Sequence, residues 1–215
     1  MKQTVSLRKT KKRKLTTLLC NILEIIIIMC AVFIIIHKTI EHKYITDNEQ
    51  LLQEYEDIIS HSNGNADLYR ATSTDAVPVQ DTNVDCILIV DDLDIKMPIC
   101  KGNFKSDIER YRLSVYDVNM VLGNTTYTIM GHHAISYKYA FGWLEDLKKD
   151  TIIKFERYGN VYEYYVDEIN IGYAADMSYL FTLNSEDVVY LATCDYSLGN
   201  KGKIVYRSVK CTRLN

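Results

Sequence analysis

The chain has 215 residues, 47% of them hydrophobic and 25% charged, with a formal net charge of -3. That is enough for one ordinary folded domain plus an anchor, and it excludes both a disordered chain and a second full domain. The charge is uneven: Lys2, Arg8, Lys9, Lys11, Lys12, Arg13 and Lys14 precede the first long apolar run with no acidic residue among them, and the chain beyond that run is acidic. Because the single basic block abuts a lipid-soluble segment and the body carries no Lys/Arg stripe, nucleic acid is excluded as the expected partner.

In chain order, residues 1–14 read as a basic cytoplasmic tail and 15–36 (LTTLLCNILEIIIIMCAVFIII) as a transmembrane signal anchor. As a helix this run is about 33 Å long at roughly 1.5 Å per residue, enough to cross a bilayer. The basic flank predicts a single-pass topology with the N-terminus inside and the body outside. The run exceeds an ordinary signal-peptide core, and His37, Lys38 and Thr39 offer no small-x-small cleavage site, so the segment is expected to stay attached. From 37 to 60, Ile40, Tyr44, Leu51, Leu52, Tyr55, Ile58 and Ile59 recur at helical spacing and predict an amphipathic stalk helix that packs against the body. Residues 61–83, rich in Ser, Thr, Asn and Asp, read as a linker.

From Val84 the pattern changes to short β-branched and aromatic runs at 86–90, 94–99, 126–130, 151–157, 161–171, 187–193 and 203–211, with a weaker one within 113–122. Several alternate apolar and polar residues. About eight such strands, joined by turns such as Gly159-Asn160, predict a mainly β domain over 84–215, either a closed barrel or a sandwich. The one helix expected in the body is Ala140–Lys149.

Two strand ends carry the residues able to do chemistry. Cys194 closes the apolar run Val188-Val189-Tyr190-Leu191-Ala192-Thr193, and His132 and His133 follow Thr128-Ile129-Met130-Gly131 at the end of another strand. A histidine in such a place can exchange a proton with a cysteine on a neighbouring strand. None of the six cysteines has zinc-ligand spacing, so no metal site is expected. An even number outside the anchor leaves disulfides among Cys86, Cys100 and Cys211 open.

Strand-Gly-His followed about sixty residues later by Leu191-Ala192-Thr193-Cys194 resembles the sortase family of membrane-anchored cysteine transpeptidases. Phe141-Gly142-Trp143-Leu144-Glu145-Asp146-Leu147-Lys148-Lys149-Asp150-Thr151-Ile152 is similar to the segment that follows the family's histidine, and the resemblance spans roughly 84–213. Tyr190 stands where the family usually has a threonine, Asp150 lacks the glycine that normally precedes it, and His133 replaces a common Asn or Arg. The short interval from His132 to Cys194 resembles the compact classes rather than class B.

The resemblance implies a closed eight-stranded sortase-type barrel with one or two short helices. It implies a Cys194 thiolate that attacks a carbonyl in an LPXTG-like sorting motif of a secreted protein, with His132 protonating the departing amine. The thioacyl intermediate then passes to an amine of a peptidoglycan precursor or a pilin. No cofactor is required. The family's third catalytic residue is an arginine at the start of the strand after the cysteine loop. Lys203, after a loop of eight residues beyond Cys194 and opening Ile204-Val205-Tyr206, matches that place, while Arg207 retains the guanidinium; both stay candidates. Thr193, which either orients substrate or packs beneath the thiol, is with Ala192 and His133 a candidate substrate-binding residue, and Asp195 is expected to face solvent or pair with a loop cation. Two alternatives use the same residues: a catalytically impaired, membrane-tethered binding or assembly module, and a cysteine hydrolase that releases peptide to water.

Overall fold

The computed structural model describes residues 2–63, 83–134, 139–197 and 203–214. Most of the predicted linker, 64–82, therefore lies outside the described residues, as does the 198–202 stretch between Cys194 and Lys203. A single helix, α1, runs Lys2–Asn63. It contributes to two compact units, Met1–Lys43 and Tyr44–Asn215. In the first unit the side chains from Leu18 to Ile36 are exposed along an apolar stretch whose mean hydropathy reaches 2.9 over eighteen residues, long and apolar enough to cross a membrane.

The second unit is a closed eight-stranded barrel with the order β1-β2-β3-β4-β7-β8-β6-β5. Its strands are β1 (Val84–Val90), β2 (Ile95–Cys100), β3 (Leu113–Val115), β4 (Tyr127–Met130), β5 (Ile152–Arg157), β6 (Asn160–Tyr173), β7 (Val188–Cys194) and β8 (Val205–Arg213). Every run read from period-two alternation forms a strand, because alternation sends one residue in two into the barrel interior. That interior is a single apolar core in which Leu88, Val90, Ile99, Tyr127, Ile129, Phe155, Tyr164, Leu191 and Val209 are all fully buried. The β5–β6 hairpin turns at Tyr158 and Gly159, both at positive φ, one residue earlier than expected.

Two neighbouring pairs run parallel, β2 with β3 and β4 with β7, and the rest antiparallel. The β4–β7 pair brings together the two strands that precede His132 and end at Cys194. Hairpins cannot join parallel neighbours, so the chain leaves β4, builds β5 and β6, and returns to lay β7 beside β4.

The expected helix over Ala140–Lys149 does not form. Only Leu144–Asp146 makes a short 3-10 turn, Ala140 is left-handed (φ 49), and Leu147 is extended. The spacing of Phe141, Trp143, Leu144 and Leu147 looks helical, but all four are buried in the barrel core. The segment must therefore fold irregularly to insert every apolar side chain rather than one face. A helix the strand pattern hid, α2 (Phe104–Glu109), begins at Asn103, whose side chain accepts from the Ser106 amide.

From Tyr44 onward α1 lies along the barrel. Leu51 and Tyr55 are buried with Leu52 and Ile59 against Val84, Ile87 and Cys100. The Tyr55 hydroxyl accepts from the Tyr158 amide at 2.9 Å. Nearer the start of this stretch, Asp47 takes both Nε and an Nη of Arg112, at 2.8 and 2.9 Å.

The cysteines of the body are all free thiols; Cys86, Cys100 and Cys211 are buried and Cys194 is half-buried. Burial pushes the Cys100 thiol up to about 12 and those of Cys86 and Cys211 higher still. Brief alkylation of the native full-length protein in detergent micelles is expected to mark Cys194 within the body and to spare the other three until denaturant is added. Peptide mapping by mass spectrometry checks this, and a native disulfide between any two of the three would contradict it.

Candidate active site

The parallel register of β4 and β7 pairs Tyr127 with Val189, Thr128 with Tyr190, Ile129 with Leu191 and Met130 with Ala192. Parallel strands end on the same rim, and partners in register share a face. β4 ends at Met130, two residues before His132, and β7 ends at Cys194, so both residues lie at the same end of this parallel pair. Just past the strand end, the Gly131 amide donates to the Ala192 carbonyl at 3.2 Å and the Thr193 hydroxyl donates to the Gly131 carbonyl at 2.9 Å. These two bonds tie the histidine segment to the cysteine strand.

Gly131 is required by space rather than by backbone freedom. A Cβ there would lie 2.4 Å from Leu113 Cδ2 and 2.9 Å from Phe141 Cδ2, both in the packed core. Gly131 thus lets the strand end sink against the core before His132 emerges.

Alternation along β7 and β8 separates the remaining candidates by face. Leu191 and Val209 are core residues, and Thr193, in register with Arg207, continues that inner face. Ala192 packs outside the barrel with Met130, Met177 and Leu180. Cys194, in register with Tyr206, continues that outer face. Tyr206 stands beside it there and itself packs on that cluster. Burial pushes the Cys194 thiol up.

Arg207 therefore stands on the opposite face of the sheet from the thiol. Its guanidinium lies 3.1 Å from the Asp195 carboxylate, and only 16% of its side chain and 3% of that of Asp195 are exposed. Asp195 also accepts from the Ser197 amide at 2.8 Å and from the Ser197 hydroxyl. Burial alone would raise the Asp195 carboxyl, but the Ser197 bonds and the nearby Arg207 charge outweigh it and hold the group below its ordinary value. The expectation that Asp195 would face solvent or pair with a loop cation is corrected: it is buried and pairs with a cation of β8. A carboxylate next to the nucleophile is thereby turned inward and neutralised.

Lys203 is exposed at the approach to β8, with Nζ 5.1 Å from the Tyr173 ring centroid. Ala192 and Thr193 are buried, at 0% and 1% exposure, so they build the rim beneath Cys194 rather than present themselves to a ligand. His133 lies 3.8 Å from the Glu145 carboxylate, and its ring centroid is 5.7 Å from that of the exposed Tyr196. The structure thus brings His132, Cys194, Thr193 and Ala192 to one rim and leaves Arg207 on the far face.

Sequence reasoning missed Tyr111. It follows α2 at the position where helices commonly end on glycine, with φ 58. The turn is closed by bonds from the Tyr111 amide to the Ile108 carbonyl at 2.9 Å and from the Arg112 amide to the Asp107 carbonyl at 3.0 Å. A tyrosine in that conformation costs about 1 kcal/mol. Its ring centroid is 4.5 Å from that of His132 and 4.6 Å from that of Tyr44 in α1. Nothing in the residue pattern around 111 signals this contact, which depends on where three separate segments meet.

A sortase-domain family model matches residues 88–210, which contain both strand ends. No curated protein matches the chain in sequence. Among solved structures, the chain is similar in fold to a sortase D5 transpeptidase from Clostridium perfringens, with 18% identity, a TM-score of 0.58, and coverage of 78% of this chain and 98% of that one. It is also similar to sortase A from Corynebacterium diphtheriae, with 22% identity, a TM-score of 0.53, and 67% of this chain and 72% of that one covered. A third likeness is to sortase C-1 from Actinomyces oris, with 17% identity, a TM-score of 0.53, and 74% and 99% covered. The matched model takes in most of the barrel and both residues of the His132–Cys194 rim, so the chain belongs to the sortase family of cysteine transpeptidases.

Proposed function

We propose that Cys194 is the nucleophile and His132 the proton carrier of a transpeptidase that cuts an LPXTG-like sorting motif in secreted proteins and joins the new carboxyl end to an amine. The observation that supports this is the parallel β4–β7 pairing, at one end of which β7 closes on Cys194 and the chain leaves β4 through Gly131 into His132. The thiolate attacks the scissile carbonyl, and His132 protonates the departing amine as the C–N bond breaks. The acyl group is then held on sulfur as a thioester. An incoming amine gives a proton to His132, attacks the thioester and releases Cys194. The acceptor is an amine of a peptidoglycan precursor or of a pilin.

The third residue is Lys203. Arg207 is engaged by Asp195 on the inner face, whereas Lys203 lies beyond the loop that follows the nucleophile, on a side chain long enough to leave the Tyr173 ring. Over the thiol it would stabilise the thiolate and then the oxyanion as a point charge. Residues 15–36 anchor the enzyme as a single pass with the N-terminus inside, which holds the barrel at the outer membrane surface beside secreted substrates and lipid-linked acceptors. The impaired-module reading has one observation in its favour, a resting thiol raised by burial.

Full-length protein in detergent micelles, incubated with a sorting-motif peptide library and an amine acceptor, is expected to give a ligated product and a thioacyl adduct on Cys194 by mass spectrometry. Cys194→Ala is expected to give neither. Cleavage without ligation would favour the hydrolase, and a folded, reduced wild type that forms no adduct would favour the impaired module.

The two cations are expected to separate by what each substitution damages. Lys203→Ala lowers kcat/KM about a hundredfold with the melting temperature unchanged. Arg207→Ala leaves Asp195 buried without its partner and costs about 3 kcal/mol of stability. Fluorescence of the buried single tryptophan, Trp143, reads the melting in both variants.

Asp195 also predicts the acid limit. Its folded carboxyl lies below the unfolded value of about 4, so its contribution is complete above that pH and lost as pH falls through the lower folded value. Urea unfolding from about pH 7 down to about pH 3 should show wild type losing its advantage over Asp195→Asn in that acid window.

A further inference from the structure

On the reading that His132 carries the proton, we infer that Tyr111 is its positioning residue and that α1, through Tyr44 and Asp47, holds Tyr111 in place. The contacts form one chain. Tyr44 and Asp47 lie one turn apart on the same helix; Tyr44 stacks on Tyr111 at 4.6 Å, and Asp47 grips the adjacent Arg112 through two bonds at 2.8 and 2.9 Å. Tyr111 in turn stacks on His132 at 4.5 Å, with the rings tilted by 39°. Tyr139 closes the cluster, 5.6 Å from Tyr44 and 6.1 Å from Tyr111.

An imidazole that must receive a proton from one partner and pass it to another needs its ring plane fixed and its nitrogen edges free. A hydrogen bond fixes the plane but occupies a nitrogen. An aromatic ring against one face fixes the plane and leaves both nitrogens open. The backbone supports this assignment. Tyr111 sits where a helix end favours glycine, at φ 58, and a tyrosine retained in a left-handed site is held for what its side chain does. The segment of α1 from Tyr44 onward is thus part of the catalytic apparatus as well as a stalk.

The test uses the full-length protein in detergent micelles with the variants Tyr111→Gly, Tyr111→Phe and Asp47→Asn. The readouts are kcat and KM for acyl transfer, the melting temperature, and the ring resonances of His132 from histidine-labelled protein. Tyr111→Gly removes the ring and the backbone strain together. It is expected to lower kcat about tenfold or more with KM within about twofold, to leave the melting temperature unchanged or higher, and to shift the His132 resonances downfield as the ring current is lost. Tyr111→Phe, which keeps the ring, restores both kcat and the resonances. Asp47→Asn, which weakens the grip on Arg112, gives a smaller change in the same direction.

The inference is overturned if Tyr111→Gly keeps wild-type kcat. It is equally overturned if kcat and melting temperature fall together while the His132 resonances stay put, since that is what simple loss of packing produces. A wild type that forms no acyl-enzyme with any peptide instead removes the catalytic reading of His132, and this inference with it.

Discussion

The site depends on one pairing, the parallel alignment of β4 with β7. The two strands come from distant parts of the chain, separated by the whole of β5 and β6, and they can lie side by side only because the barrel closes around them. Once they do, geometry leaves little choice. Partners in register share a face, both strands end on one rim, and two backbone-anchored bonds through Gly131 and Thr193 lock the register where it matters. Gly131 completes the arrangement by leaving room for Leu113 and Phe141, so the strand end can approach the core before the imidazole turns outward.

The same alternation that joins cysteine and histidine divides the charges. Even-numbered residues of β7 face the aromatic exterior cluster; Thr193 and its partner Arg207 face the other way. Asp195, directly after the nucleophile, would oppose a thiolate if it shared the outer face. Folding it inward onto Arg207 and the Ser197 amide removes that opposition and pins the first residues of the loop that leads to Lys203. Arg207 is thereby paired with the carboxylate that follows the nucleophile.

The barrel was legible in the sequence because alternation is a local signal with a direct physical cause, and each predicted run became a strand of nearly the same length. The Ala140–Lys149 helix was not, since a stretch that buries Phe141, Trp143, Leu144 and Leu147 together has the composition of an amphipathic helix without its geometry. Cys194 and His132 stood out as strand ends with reactive side chains. The surroundings of Lys203 and Arg207 did not, because the face that Arg207 occupies depends on the β7–β8 register. Tyr111 was hidden for a related reason: its meaning lies in a stack with Tyr44 and His132 contributed from three segments.

The apolar setting of Cys194 has a consequence for how the protein lasts between turnovers. Thiols are oxidised to sulfenic and then irreversible sulfinic acids chiefly through the thiolate. Burial raises the Cys194 thiol and so disfavours its thiolate in the idle site. Cys86 and Cys211 are buried in the barrel core and Cys100 beneath α1, so none of them offers an accessible thiol to trap it as a mixed bridge. The same burial that restrains the nucleophile at rest therefore also disfavours its oxidation relative to an exposed thiol.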